Sequence, residues 1–154
     1  MSPQPRARRF RSSGTAYRWD AVDVLEYKAE GSAPFKDVTR QVLFDEPELG
    51  VQWRYFEVAA GGHTTLERHE HVHAVLILRG RGEALVGTDV YPIAAFDLFS
   101  VPPMTWHQFR AAADEPMGFL CLVHSERDRP QLPTDDELAE LRDASTKVAA
   151  FLKD

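Results

Sequence analysis

The chain contains no asparagine and a single cysteine, Cys121. Without asparagine there is no N-glycosylation acceptor, and tight turns must be built from glycine, aspartate and proline. One cysteine can form neither an intrachain disulfide nor a Cys-x-x-Cys motif. Its setting, Phe119-Leu120-Cys121-Leu122-Val123, reads as a buried strand rather than a reactive thiol. Long apolar runs are also missing. No stretch approaches the roughly 18 residues of a membrane span, and none follows the N-terminal arginines as a secretory signal would require, so a cytoplasmic location with no membrane partner is expected. Positive charge is scarce: 18 Lys and Arg against 24 Asp and Glu give a net charge of −6, which argues against a nucleic-acid partner. A Gly-x-Ser-x-Gly elbow, a Walker loop and a Gly-x-Gly-x-x-Gly opening a helix are all absent, leaving hydrolase, NTPase and dinucleotide readings unsupported.

What remains is an ordinary globular composition, 44% apolar, 10% aromatic and 27% charged, in 154 residues, a length that suits one domain. Charge is unevenly placed. Arg6, Arg8, Arg9 and Arg11 fall within residues 1–16 with no acid among them, so the rest carries 14 basic against 24 acidic groups, a net of −10. With Ser2, Pro3, Pro5, Ser12, Ser13 and Gly14 interspersed, residues 1–16 are expected to be a disordered basic arm.

From Val51 onward, short runs rich in Val, Ile, Leu and Phe alternate with Gly, Pro or Asp punctuation. This predicts strands at Val51–Val58, Val72–Leu78, Glu83–Val86, Val90–Ile93, Asp97–Val101, His107–Ala112 and Met117–His124. Gly80 and Gly82, Gly87-Thr88-Asp89 and Pro102-Pro103 supply the breaks, and the spacing near ten residues predicts an all-β barrel. Apolar residues at Val22, Val24, Tyr27, Val38, Val42, Leu43 and Phe44 suggest edge strands in an N-terminal extension, which places the barrel within residues 17–130. Over 131–154, Thr134-Asp135-Asp136-Glu137 behind Pro133 is a capping box that starts a C-terminal α-helix. Its stripe of Leu138, Leu141, Val148 and Phe151 or Leu152 is expected to pack on the sheet or on a second subunit.

The chemistry concentrates in Glu67, His69, His71 and His73, which occupy alternate positions on the run into the strongest strand. In an extended chain, alternate side chains share a face, so three imidazoles and a carboxylate would converge. Burying imidazoles without partners is costly, whereas a divalent metal would use their lone pairs. His107, beyond Pro102-Pro103-Met104-Thr105-Trp106, can reach the same place from another strand; His63 and His124 lack such company. Trp53, Phe56, Met104, Trp106 and Phe109 are expected as apolar walls of a substrate pocket; Arg68, Arg79 and Arg110 could present a guanidinium to a carboxylate substrate, although outward, solvated charge is the usual fate of such residues.

These residues resemble the cupin superfamily of jelly-roll β-barrels, whose first motif runs Gly, five residues, His, one, His, three or four, Glu, six, Gly. Here Gly61, Glu67, His69, His73 and Gly80 stand at that spacing, with the His and Glu places exchanged between Glu67 and His73. The second motif, Gly, five, Pro, one, Gly, two, His, three, Asn, is similar to Phe96, Pro102, Met104, His107 and Ala111: Pro and His match, both Gly positions and Asn do not. The resemblance spans roughly residues 50–125. It implies a cupin-type jelly-roll β-barrel with a C-terminal α-helix, and a ligand set of Glu67, His69, His73 and His107, with His71 as a reserve ligand or an orienting residue behind the ligands.

Imidazole and carboxylate donors suit one divalent ion per chain, Mn, Fe, Ni, Co or Zn, and the lack of thiolates argues against a closed structural zinc. No catalytic residue beyond the metal centre is indicated. The function expected first is a dioxygenase-type oxidoreductase on a small organic substrate. A redox-neutral metal-dependent isomerase, lyase or decarboxylase stands second, and a non-catalytic small-molecule or metal-binding module third, since one barrel hosts all three. Sheet edges and the helix stripe, with the resemblance, lead to the expectation of a homodimer.

Overall fold

The computed structural model describes residues 7–13, 16–27 and 36–153. Its strands are β1 (Phe10–Ser13), β2 (Ala16–Trp19), β3 (Leu25–Glu26), β4 (Lys36–Glu46), β5 (Val51–His63), β6 (His73–Arg79), β7 (Arg81–Val86), β8 (Asp89–Ala94), β9 (Leu98–Val101), β10 (His107–Ala111) and β11 (Met117–His124), followed by helices α1 (Asp135–Asp143) and α2 (Thr146–Phe151). The main sheet runs β8-β7-β10-β5-β11-β6-β9, with β4 added to β5 and β3 to β4. All of its pairings are antiparallel. Long β5 joins the two halves. Val51–Val58 pairs with β11 on one side and β4 on the other, while His63 at its far end meets Arg110 of β10. The sheet thus curls into a jelly-roll half-barrel around Phe56, Val58, Val75, Ile77, Phe109 and Phe119.

The closing glycine of the first motif has a steric reason. Gly80 sits at φ +75 in the β6–β7 turn, and a Cβ there would run into the Pro116 carbonyl. At the two positions where the second motif usually has glycine, Phe96 and Met104 nevertheless adopt φ of 77 and 55, so the left-handed turns survive without glycine.

Three expectations are corrected. The disordered arm does not extend through residue 16. β1 pairs with β2, Phe10 packs edge-on against Tyr17 and Trp19, and Arg11 holds Asp20 through two hydrogen bonds. This hairpin lies over Tyr55 on the outer face of β5, so apolar cover opposes the charge repulsion. The rest of the arm, residues 1–6 with Gly14 and Thr15, lies outside the described residues. β4 is an 11-residue strand paired with both β3 and β5 rather than an edge. The single C-terminal helix is two. Thr134 and Glu137 form the expected capping box, but Ser145, extended at φ −167, interrupts the helix and caps the second one by accepting the Val148 N–H. The stripe survives the break: Leu141, Val148, Phe151 and Leu152 bury themselves against Leu85 of the same barrel, so this face is satisfied within the chain.

Candidate metal centre and cavity

His73 and His107 are the first residues of β6 and β10, and His69 lies in the connection between β5 and β6. That connection is not the continuous strand expected from alternation. Glu67 makes an isolated bridge to His107 and Arg68 another to Gln131, and the chain then bends at Glu70 and His71. Asp128 makes the bend. Its Oδ2 accepts the Glu70 N–H at 2.7 Å, and its Oδ1 accepts the His71 N–H at 2.9 Å and pairs with His71 Nδ1 at 2.6 Å. The His71 ring is thereby laid flat on His69, centroids 3.6 Å apart.

His69, His73 and His107 come together with one nitrogen each, all within 4.8 Å of one another, and are 3%, 7% and 3% exposed. The other ring nitrogen is engaged in each case. Nδ1–H of His69 donates to the His71 carbonyl at 2.7 Å and that of His107 to the Thr105 carbonyl at 2.9 Å, which leaves the Nε2 lone pairs inward. His73 Nδ1 lies 3.1 Å from Cys121 Sγ, and its Nε2 is buried with no hydrogen-bond partner among the described residues. A buried, unpartnered imidazole nitrogen facing two others is what a metal ion satisfies, so the set fits one ion. Burial, reinforced by the neighbouring imidazoles, pushes His73 down to about 2. Burial likewise pushes His107 down to about 4 against the pull of its Thr105 hydrogen bond, so both rings are neutral, as ligands must be.

Glu67 and His71 line the same cavity, but neither belongs to the close nitrogen cluster. Glu67 is bridged through its backbone to His107, which keeps its carboxylate on the wall next to the three imidazoles. Burial raises its carboxyl to about 7, against the lowering effect of Arg54.

The cavity measures about 440 Å³. Of the expected walls, Phe56 and Phe109 line it; Trp53, Met104 and Trp106 do not. Trp53 points outward from β5 and is 46% exposed, Met104 is exposed on its turn, and Trp106 packs under the C-terminal helices with Arg68 over its ring. Sequence reasoning missed Arg40, Arg54, Arg127, Tyr27, Ser125 and Cys121, all of which line the cavity. A signal existed for two of them. In Val38-x-Arg40-x-Val42 and Arg54-x-Phe56-x-Val58 the arginines share the phase of the apolar residues, so they must face inward. Cys121 is a neutral thiol, its pKa raised by burial, and accepts a hydrogen bond from Arg54 Nη2 at 3.4 Å.

The comparisons with known proteins agree with this geometry. A family model described as a cupin domain matches residues 54–123. A curated relative from Rhodospirillum rubrum, named 1-methylthio-D-xylulose 5-phosphate methylsulfurylase, is 58% identical over 152 residues, covering 99% of this chain and 97% of that protein. Among solved structures, a cupin 2 conserved barrel domain protein from Rhodopseudomonas palustris is 53% identical, covers 97% of this chain and 100% of its own, and superposes with a TM-score of 0.87. A cupin-2 domain protein from Rhodospirillum rubrum is 59% identical, covers 93% and 95%, and has a TM-score of 0.84. Motif spacing, curled sheet and near-full-length similarity converge, and the chain belongs to the cupin superfamily.

Proposed function

We propose that this chain is a metal-dependent enzyme that removes or transfers the methylthio group of a phosphorylated 1-methylthio ketose. The observation that carries the reading is the similarity, over almost the whole of both chains, to a relative named for 1-methylthio-D-xylulose 5-phosphate. The cavity supports it by pairing a metal-ready nitrogen cluster with a cationic wall. In such a substrate the sulfur sits on the carbon beside the ketone. A divalent ion held by His69, His73 and His107 would supply Lewis-acid polarisation of the ketone oxygen. The chain's own groups do the rest. Phe56, Phe109 and Phe119 exclude water from the apolar wall; a small thiol from solution takes the methylthio group as a mixed disulfide and gives up its proton, the C–S electron pair stays with the carbon as an enolate, and Glu67 would deliver the proton that this carbon gains. A cytoplasmic homodimer goes with this reading; among the described residues no helix is long and apolar enough to cross a membrane. The dioxygenase expectation drew on the donor set alone, and the relative's name moves the weight to sulfur-group chemistry.

The test is turnover of 1-methylthio-D-xylulose 5-phosphate by protein loaded separately with Mn, Fe, Co, Ni or Zn, with the S-methyl proton signal followed by NMR and oxygen by electrode. Loss of the methylthio group under anaerobic conditions is expected when a small thiol is supplied and not without one, and His107→Ala should abolish both bound metal and turnover. Conversion that occurs only with oxygen uptake would restore the dioxygenase reading.

A further inference from the structure

The cavity is lined by four arginines, Arg40, Arg54, Arg127 and Arg129, against two acids, Glu67 and Asp128. The acids do not balance them: Asp128 is committed to Glu70 and His71, and Glu67 stands at the imidazole end. On the wall made by β4 and β5, Arg40 faces Phe56 and Val42 faces Arg54, so the two arginines are diagonal neighbours on the inward side. Arg40 Nε and Arg54 Nε on that wall, and Ser125 Oγ just past the end of β11, are buried without a hydrogen-bond partner among the described residues. Arg54 gives one N–H to Cys121 Sγ and Arg127 one to the His124 carbonyl, which leaves further donors on both guanidinium forks. Arg40, Arg54 and Arg127, which form no ion pair with a carboxylate among the described residues, call for a multiply charged oxyanion, and their planar forks match phosphate oxygens.

We infer that Arg40, Arg54 and Arg127, with Ser125, form a phosphomonoester subsite that anchors the substrate's phosphate at the β4–β5 wall while its reacting end meets the imidazoles. The inference rests on the proposed phosphorylated substrate. Arg54 Nη2 and His73 Nδ1 meet the same Cys121 sulfur, at 3.4 and 3.1 Å, so the guanidinium end and the imidazole end lie within the span of a five-carbon chain.

Inorganic phosphate is titrated into the metal-loaded protein by calorimetry, and KM and kcat are measured for 1-methylthio-D-xylulose 5-phosphate. Arg40→Met and Arg127→Met should each weaken phosphate binding and raise KM at least tenfold, with metal content unchanged and kcat within about threefold; Arg40→Lys should recover part of the loss. Arg81→Gln, whose arginine is exposed and paired with Asp114 and Glu115, should change nothing. If Arg40→Met does not fold, exposed Arg127 carries the test. Arginine-dependent phosphate binding without turnover of the ketose phosphate sinks the substrate reading and keeps the subsite. Turnover with unchanged KM and unchanged phosphate affinity in folded variants overturns the subsite and keeps the reading.

Discussion

His73 depends on Cys121 as much as on its own strand. The thiol fixes the ring by meeting Nδ1 at 3.1 Å, with Arg54 holding the sulfur from the other side. Groups that orient a ligand imidazole typically govern metal affinity by 10–100-fold. Cys121→Ala should therefore weaken binding of the ion by roughly that factor in a chelator competition, while Cys121→Ser, which keeps a hydrogen-bonding group, should stay near the parent. Equal loss in both variants would show that sulfur, not hydrogen bonding, matters. A second residue-scale consequence lies at Phe96, whose φ of 77 is left-handed although its side chain is 77% exposed. Backbone in that region costs a non-glycine residue about 1 kcal/mol or more, and little packing is lost with the ring. Phe96→Gly should raise stability by about 1 kcal/mol, or a Tm gain of roughly 2–4 °C, net of the greater freedom glycine gives the unfolded chain. A lower Tm would mean that the ring packs on something.

At the scale of elements, the connection between β5 and β6 is the part whose geometry decides the site. Burial alone would raise the Asp128 carboxyl, yet the Glu70 and His71 N–H groups and the His71 ring hold it well below the usual carboxylate range. Its folded pKa is thus depressed, so its contribution is present above the unfolded value near 4 and is lost as pH falls through the folded one. Asp128→Asn keeps only one accepting oxygen for three donors and should cost about 1 kcal/mol. Hydrogen exchange at the Glu70 and His71 amides should then accelerate, and unchanged protection would refute the role of Asp128 in the bend. This element also marks the limit of what the sequence made legible. Alternation gathered His69 and His73 correctly but for the wrong reason, since a bend and not an extended strand brings them together. Asp128 lies in a later loop, and no spacing links it to His71. The strands from Val51 to His124 were readable because one face of each is buried, and the same logic read in the right phase would have put Arg54 and Phe56 inside and Trp53 outside. What hid the cavity wall was the assumption that tryptophan marks an interior, when Trp53 opposes Phe44 and Leu122 on the outer surface.

For the whole molecule, the imidazoles make stability depend on pH in a known direction. Folded His73 and His107 refuse protons until pH values far below the 6.5 at which the unfolded chain accepts them. Below 6.5 the unfolded state therefore binds more protons, and the metal-free fold loses stability as pH falls. Between pH 7 and 5 His73 and His107 should together cost roughly 2–4 kcal/mol, partly offset by Glu67, whose carboxyl, raised to about 7, takes up a proton in the folded state over the same range; in Glu67→Gln, which lacks the offset, Tm should fall by roughly 5–15 °C, and saturating metal at pH 7 should raise Tm further. A flat Tm over this range in Glu67→Gln would show that the rings are not buried neutral.

Arg68 connects regions that the chain order keeps apart. Lying between Glu67 and His69, it exchanges backbone hydrogen bonds with Gln131, reaches the Glu137 carboxylate at 2.9 Å and covers Trp106 at 4.3 Å. Glu137 is also the residue that closes the capping box of α1. The tail is consequently a buttress for the ion-holding segment: shortening the protein at residue 133 removes no ligand, yet it should leave the centre slack and leaky toward chelators.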